Sequence, residues 1–279
     1  MRHNLKIIIA LNKNSFLNYN YENASQLTKT EKIMKNYIYI TLSVTFLINS
    51  SYADQRNFVM TYEKKMLSPG ESEFEMYFTS EFPRNISFEN EDSPMLKLEY
   101  EFEIGMTDDL EIAFYNTFIQ EPGGNLKFDE YKLRFKYNVT DNPNEWVPLF
   151  YTELKGNLDF TEYTIEQKFI FTKYFGNFNL SFNPIIEFEN EKQTCPDCSD
   201  GYIWHREIEG ELALGVSYQF NKRISAGFDL KTSEYATYFG PVFAHGGEDK
   251  YWVFGIMKKM DGLDEKAELI IRSIMGFHF

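Results

Sequence analysis

Two cysteines, Cys195 and Cys198, are the only thiols in the sequence, and they enclose the dipeptide Pro-Asp. In an oxidising compartment, two cysteines at this spacing close a small disulfide ring, which is the pairing we predict. A redox-active pair is less favoured, because such thiols sit at the start of a helix and no helical pattern follows. A metal site would need both thiolates with His205, Asp197 or Asp200 in tetrahedral reach. We therefore predict no metal and no cofactor.

Histidine is the next residue type that commonly carries chemistry. None of the four histidines lies beside a serine and a carboxylate in a recognisable catalytic motif, and only His205 is placed to join a site at an outer rim. The sequence also has no phosphate-binding glycine loop and no HExxH motif. We do not expect an enzyme, and a rim enzyme that uses His205 is the least favoured alternative.

Charged residues at every second position form a much larger set. If the apolar positions between them face lipid, the charged register faces the lumen of a barrel. The acidic residues of this register are Glu99, Glu101, Glu103, Glu111, Glu130, Glu162, Glu166, Glu187, Glu207, Glu209, Glu211 and Asp229. The basic ones are Lys97, Lys132, Arg134, Lys136, Lys168, Lys231 and Arg272. Twelve acids against seven bases predict a lumen that prefers cations.

The element that produces this segregation is a β-strand. In residues 95–106, leucine and aromatic residues alternate with lysine and glutamate, and residues 128–139 repeat the pattern. A helix cannot place these two classes on opposite faces, whereas a strand does so by its period of two. Strands are predicted near residues 72–81, 95–106, 110–119, 128–139, 146–155, 161–171, 178–189, 204–219, 224–233, 236–244, 250–259 and 266–279.

Twelve strands of about ten residues fit a single antiparallel transmembrane β-barrel, an all-β fold. The predicted connections alternate between short turns and longer polar loops, as such a barrel requires. One place departs from the rule, because the link at residues 233–235 is shorter than the turn at residues 245–249. A mispaired hairpin there would reduce the count to ten. A soluble β-sandwich is the competing fold, but its strands are shorter and its outward residues are mixed.

The N-terminal part of the chain has a different character. Residues 34–53 combine Lys35, an apolar stretch from Tyr37 to Ile48 and the small-residue pattern Ser-Tyr-Ala, which predict a signal peptide cleaved before Asp54. Residues 1–33 form an upstream extension, which is part of the protein only if translation starts before Met34. Residues 54–71 are predicted to be either a plug or a periplasmic arm, and residues 72–279 the barrel.

Composition agrees with export and disfavours some partners. Without residues 1–53, which hold six basic and two acidic residues, the net charge is −18. Nucleic acid is therefore not expected as a partner, because binding to phosphate needs positive charge. No apolar run is long enough for a membrane-spanning helix.

The C-terminal segment resembles the assembly signal of bacterial outer-membrane proteins, with Met275, Phe277 and the terminal Phe279 at alternate positions. Three further segments resemble uncharacterised outer-membrane barrels related to transporters of the phenol-degradation type: GESEFEMYFTSEF, LEYEFEIGMTDDLEIAFY and YFGPVF. The resemblance implies a barrel of about twelve strands in the bacterial outer membrane, with a suspected transport role. It also implies outer-membrane lipid and the barrel assembly machinery as partners.

The function predicted from these features is a channel or transporter for small solutes. The main alternative is a non-conducting structural or surface-contact barrel that displays its outer loops. The sequence does not determine the oligomeric state.

Overall fold

The computed structural model describes residues 56–84, 93–140, 145–198, 201–247 and 249–279. The predicted signal peptide and the upstream extension lie outside these ranges. Within them, no helix is long and apolar enough to cross a membrane.

The described residues form twelve β-strands, which confirms the predicted all-β fold. All neighbouring strands pair antiparallel. The strands are β1 (Ser72–Phe82), β2 (Met95–Gly105), β3 (Leu110–Gln120), β4 (Lys127–Tyr137), β5 (Leu149–Gly156), β6 (Glu162–Phe175), β7 (Phe178–Thr194), β8 (Tyr202–Asn221), β9 (Ile224–Thr232), β10 (Ala236–Gly246), β11 (Lys250–Gly262) and β12 (Leu269–His278).

The sheet closes into a barrel because the first strand pairs with the last. In this seam β1 runs antiparallel to β12, and Phe74 lies opposite Phe277. The seam is completed by the terminal residue, since the Phe279 N–H donates to the Ser72 carbonyl at 2.9 Å. Closure leaves neither terminal strand with an unpaired edge along this seam.

The alternation of the sequence explains which side chains face inward. Glu101 is fully buried, whereas its neighbour Phe102 is 42% exposed on the outer surface. Ser273 interrupts the outward apolar register of β12, and its hydroxyl accepts a hydrogen bond from the Trp252 indole N–H at 2.7 Å. The polar group is thereby satisfied on an otherwise apolar surface.

One side of the barrel interior is apolar. Val242, Val253, Ile270 and Ile274 are buried in one cluster that also includes Phe58, a residue that precedes the barrel in sequence. The opposite side of the interior carries most of the buried charges. The core of this protein therefore lies inside the barrel and has one apolar half and one polar half.

Several strands differ from the predicted boundaries, and β7 shows the largest difference at a single end. β7 ends at Thr194 and β8 begins at Tyr202, so both extend further than the period-two pattern indicated. β5 starts at Leu149, three residues later than predicted. The β10–β11 turn, where the sequence suggested a mispaired hairpin, is short because β10 continues to Gly246. The barrel therefore has twelve strands rather than ten.

We expect deletion of Phe279 to impair assembly of the barrel while synthesis and export continue. The deletion removes the last aromatic residue of the C-terminal signature and a hydrogen bond of the β1–β12 seam. Fractionation should then find a protease-sensitive periplasmic species. Phe279→Tyr is the matched control and should assemble normally. Normal heat-modifiable mobility of the deletion variant on gels would contradict this expectation.

Candidate functional site in the barrel interior

The segment that precedes the first strand lies inside the barrel. We name residues 56–67 the interior segment. It contacts inward-facing side chains of strands on several sides of the barrel, among them Glu111 of β3, Asn183 of β7 and Asp229 of β9. Phe58 and Val59 are fully buried. These contacts can be made together only from within the lumen.

Glycines in the wall make room for this segment. A Cβ atom added to Gly215 of β8 would lie 2.6 Å from the Phe58 ring, and one added to Gly255 of β11 would lie 2.5 Å from a Val59 methyl carbon. Both distances are shorter than any ordinary carbon contact. The wall of the barrel is therefore shaped around the interior segment.

Asp229 is the main polar anchor of the segment. One of its carboxylate oxygens accepts the backbone N–H groups of Val59, Met60 and Thr61 at 3.0, 2.6 and 3.3 Å. Its other oxygen accepts the Thr61 hydroxyl at 2.5 Å. Asp229 was predicted to face the lumen, and its carboxylate binds the backbone of the interior segment there.

Further wall side chains continue the anchoring along the segment. Asn183 accepts the Tyr62 N–H at 2.6 Å and donates to the Tyr62 carbonyl at 3.0 Å. Thr172 accepts the Lys64 N–H at 2.8 Å, and Glu111 accepts the Leu67 N–H at 2.9 Å. Since these partners bind backbone groups, much of the buried segment's backbone is hydrogen-bonded without a second strand.

Arg134 stands at the centre of the charged half of the interior. Its side chain is fully buried and forms ion pairs with Glu101, Glu103 and Glu111, the last two at 2.6 Å. It also donates to the Tyr115 hydroxyl at 2.8 Å. One guanidinium thus balances carboxylates from two adjacent strands.

The lysines of the same half are paired as well. Lys132 lies 2.8 Å from Glu99 and 3.2 Å from Glu130, and Lys168 lies 2.5 Å from Glu166. Further pairs of predicted lumen residues are Lys136–Glu111, Lys231–Glu211, Lys97–Glu130 and Arg272–Glu99. The simple count of acids therefore overstates the net charge that a solute would meet.

The remaining predicted residues lie toward the rim opposite the termini. Glu162 is exposed, while Glu187, Glu207 and Glu209 are partly exposed. Glu187 forms an ion pair with Lys155 at 2.5 Å. The structure thus brings most of the predicted set together in the charged half and leaves an acidic minority at the rim.

Sequence reasoning missed interior charges on two strands of the wall: Glu73 and Glu75 of β1, and Glu153 and Lys155 of β5. Glu75 pairs with Arg56 of the interior segment at 3.5 Å, and Lys155 lies 3.0 Å from Glu166. The same alternation would have found all four, because each occupies the charged register of its strand.

Two cavities lie on either side of the interior segment. The one nearer the termini has a volume of about 180 Å³, and its lining includes six acidic side chains, among them Glu73 and Glu103. The other, of about 250 Å³, is lined by lysines, glutamates and tyrosines. Tyr62 lines both cavities, so the interior segment forms the partition between them.

The cysteine pair and a cluster of three buried carboxylates are further candidates for sites of redox or metal chemistry. Cys195 and Cys198 are joined by a disulfide bond at the tip of the β7–β8 hairpin. The buried carboxylates of Glu75, Glu101 and Glu103 approach one another closely enough for a metal ion. Arg134 already supplies positive charge to Glu101 and Glu103, so we assign no metal to this cluster.

Comparison with known proteins supports the fold. No protein-family model matches the sequence, and no curated protein matches it. An outer membrane channel from Pseudomonas putida F1 is similar in structure, with a TM-score of 0.50 and 9% identity over 80% of this chain and 100% of that one. The KdgM porin in complex with oligogalacturonate has a TM-score of 0.47 and 7% identity over 74% and 99% of the two chains. The Ralstonia pickettii toluene transporter TbuX has a TM-score of 0.37 and 8% identity over 76% and 90%.

The fold is therefore that of a bacterial outer-membrane β-barrel, as predicted. The finer resemblance to transporters of the phenol-degradation type stays a prediction.

Proposed function

We propose that this protein is a channel or transporter for small solutes in the bacterial outer membrane, and that the interior segment acts as its plug. The observation that carries the proposal is the pair of polar cavities separated by residues 56–67. A barrel whose only task was structural would have no need of polar, water-accessible space on both sides of this segment. The exposed apolar belt of the strands, with residues such as Phe102 and Phe114, suits contact with lipid.

Movement of the plug would join the two cavities. Tyr62 is common to both linings, and hydrogen bonds from side chains rather than a β-ladder hold the backbone around it. Such bonds exchange with water at a modest net cost of about 1 kcal/mol each. A local displacement near Tyr62 would therefore open a continuous path without unfolding the barrel.

We further propose that the open path prefers cations. The cavity nearer the termini has six acidic side chains in its lining against three lysine and arginine side chains. Because the surrounding wall has a low dielectric constant, this excess should concentrate cations and exclude anions. Paired charges elsewhere in the interior largely cancel, so the selectivity should be moderate and should weaken as salt concentration rises.

The reversal potential under a KCl gradient tests this proposal. Purified protein in planar lipid bilayers should give a potential of the sign that favours potassium. A double Glu73→Gln, Glu75→Gln variant should shift the value toward zero, since it removes two acids of this cavity. A potential that favours chloride in the wild-type protein would contradict cation preference.

The rival functions give different results in the same preparation. A non-conducting surface barrel would show no current but would bind a partner through its outer loops. A rim enzyme would hydrolyse lipid or peptide and lose that activity on His205→Ala.

A further inference from the structure

The β7–β8 hairpin rises above its neighbour on one side. β7 and β8 pair from Phe178–Tyr218 to Thr194–Tyr202, but the pairing of β8 with β9 begins only at Leu212, which faces Thr232. Residues 202–211 therefore have a strand partner on one side only, within the part of the chain that the structure describes. We name this stretch, about 33 Å long at 3.3 Å per residue, the free edge.

The backbone direction at the free edge follows from the ends of the hairpin. The Gln219 N–H donates to the Asn177 carbonyl, and the Cys195 N–H donates to the Gly201 carbonyl. Both bonds fall in the continuous register of β7 with β8, so odd-numbered residues of β8 are bonded to β7. The N–H and C=O groups of the even-numbered residues point toward the open side: Tyr202, Trp204, Arg206, Ile208 and Gly210.

One face of this hairpin concentrates negative charge. Glu187 lies directly opposite Glu209, and Glu189 lies directly opposite Glu207. Like charges in these positions destabilise a sheet. Among the described residues, no lysine or arginine lies within ion-pair distance of Glu189, Glu207 or Glu209.

The neighbouring elements neutralise this face only in part, since Lys231 and Lys266 line a cavity with Glu209 without forming an ion pair with it. Lys155 pairs with Glu187, and Lys231 pairs with Glu211 at 2.7 Å, below the free edge. The Tyr235 hydroxyl, in the β9–β10 turn, donates to the Glu207 carboxylate. This hydrogen bond raises the pKa of Tyr235 to about 12, so the group remains a neutral donor.

The opposite face of the free edge is apolar in part. Trp204 is 40% exposed and Ile208 is 66% exposed. An extended strand added here would therefore meet glutamates on one face and apolar side chains on the other, while its backbone met unpaired groups of β8. In recognition by strand addition, backbone hydrogen bonds to such an edge supply affinity and contacts of alternate side chains supply specificity.

We propose that the free edge is a docking site for an extended peptide segment of a partner protein, with basic residues alternating with apolar ones. The basic side chains would lie beside Glu207 and Glu209 of β8, and the apolar ones beside Trp204 and Ile208. The site lies at the rim of the barrel, outside the linings of the two cavities of the proposed channel, and peptide binding there does not depend on conduction.

The test measures binding of a fluorescent peptide of alternating lysine and valine to the full-length protein in detergent. Ile208→Pro removes an N–H that points to the open side and leaves the β7–β8 ladder intact, so it should weaken binding at least about tenfold. Ile208→Ala is the matched control, because it shortens the same side chain but keeps the N–H. It should weaken binding much less than Ile208→Pro.

Two further binding measurements separate the contribution of charge from the contribution of strand formation. A Glu207→Gln, Glu209→Gln variant should weaken binding several-fold and reduce its dependence on salt. A peptide of alternating lysine and proline keeps the charge but cannot join a sheet, and it should bind at least about tenfold more weakly. Because this last arm uses the wild-type protein, it remains informative if Ile208→Pro fails to fold. Equal binding of the two peptides, or equal binding by Ile208→Pro and Ile208→Ala, would overturn the proposal.

Discussion

Substitution Arg134→Met should lower the free energy of unfolding by about 3–5 kcal/mol, the range observed when one partner of a buried ion pair is removed. Arg134 is fully buried among Glu101, Glu103 and Glu111. Methionine preserves much of the volume of the aliphatic stem but leaves these carboxylates without their shared positive charge. The measurement is urea unfolding of the purified barrel in detergent micelles.

Lys231→Met provides the control for this prediction. Lys231 also forms one close ion pair, with Glu211, but its own side chain is 34% exposed, so solvent reaches this pair and screens it. Its loss should change the free energy of unfolding by no more than about 1 kcal/mol. An effect of Arg134→Met as small as that of Lys231→Met would show that the buried network does not stabilise the barrel.

The strands and their closure were predictable from the sequence because a barrel repeats one rule along the whole chain. Leu98, Tyr100 and Phe102 face outward and the glutamates between them face inward. The extension of β7 and β8 was harder to predict, since residues 190–194 and 202–203 lack clear alternation of apolar and charged side chains. Pairing between the two arms of the hairpin, rather than burial, maintains the strands there.

The interior segment could not be placed from its own residues. Residues 56–67 have no strand or helix period, and the choice between a plug and a periplasmic arm depends on contacts more than a hundred residues away in sequence, such as Val59 with Asp229. The sequence feature that pointed to a buried segment is found in the strands of the barrel wall. Gly215 and Gly255 occupy the inward register of strands whose other inward residues are larger, which indicates that something packs against them.

The roles of the predicted lumen charges could be inferred only in part from the sequence. Alternation shows which side of a strand a residue occupies, but it does not show which partner the residue meets across the lumen. Asp229 and Glu111 share the register of the other acids, yet both accept backbone N–H groups of the interior segment. Their distinct role depends on the path of a segment that carries no pattern.

If solutes cross this barrel when the interior segment moves, as proposed, a reversible cross-link between the segment and the wall should stop conduction. A Cβ atom at position 255 would lie 2.5 and 3.1 Å from the two methyl carbons of Val59. Cysteines at positions 59 and 255 are therefore close enough for a disulfide bond. The variant Val59→Cys, Gly255→Cys is made with Cys195→Ala and Cys198→Ala, so that no other thiol takes part.

The measurement is single-channel conductance of this variant in planar bilayers before and after reduction, with the two single-cysteine variants as controls. We expect the oxidised protein to pass no more current than a protein-free bilayer. A reductant should then restore channel openings. The single-cysteine variants should conduct under both conditions. Equal conductance before and after reduction would contradict the role of the interior segment as a plug, and absence of conductance in the reduced variant and the wild-type protein alike would contradict the channel itself.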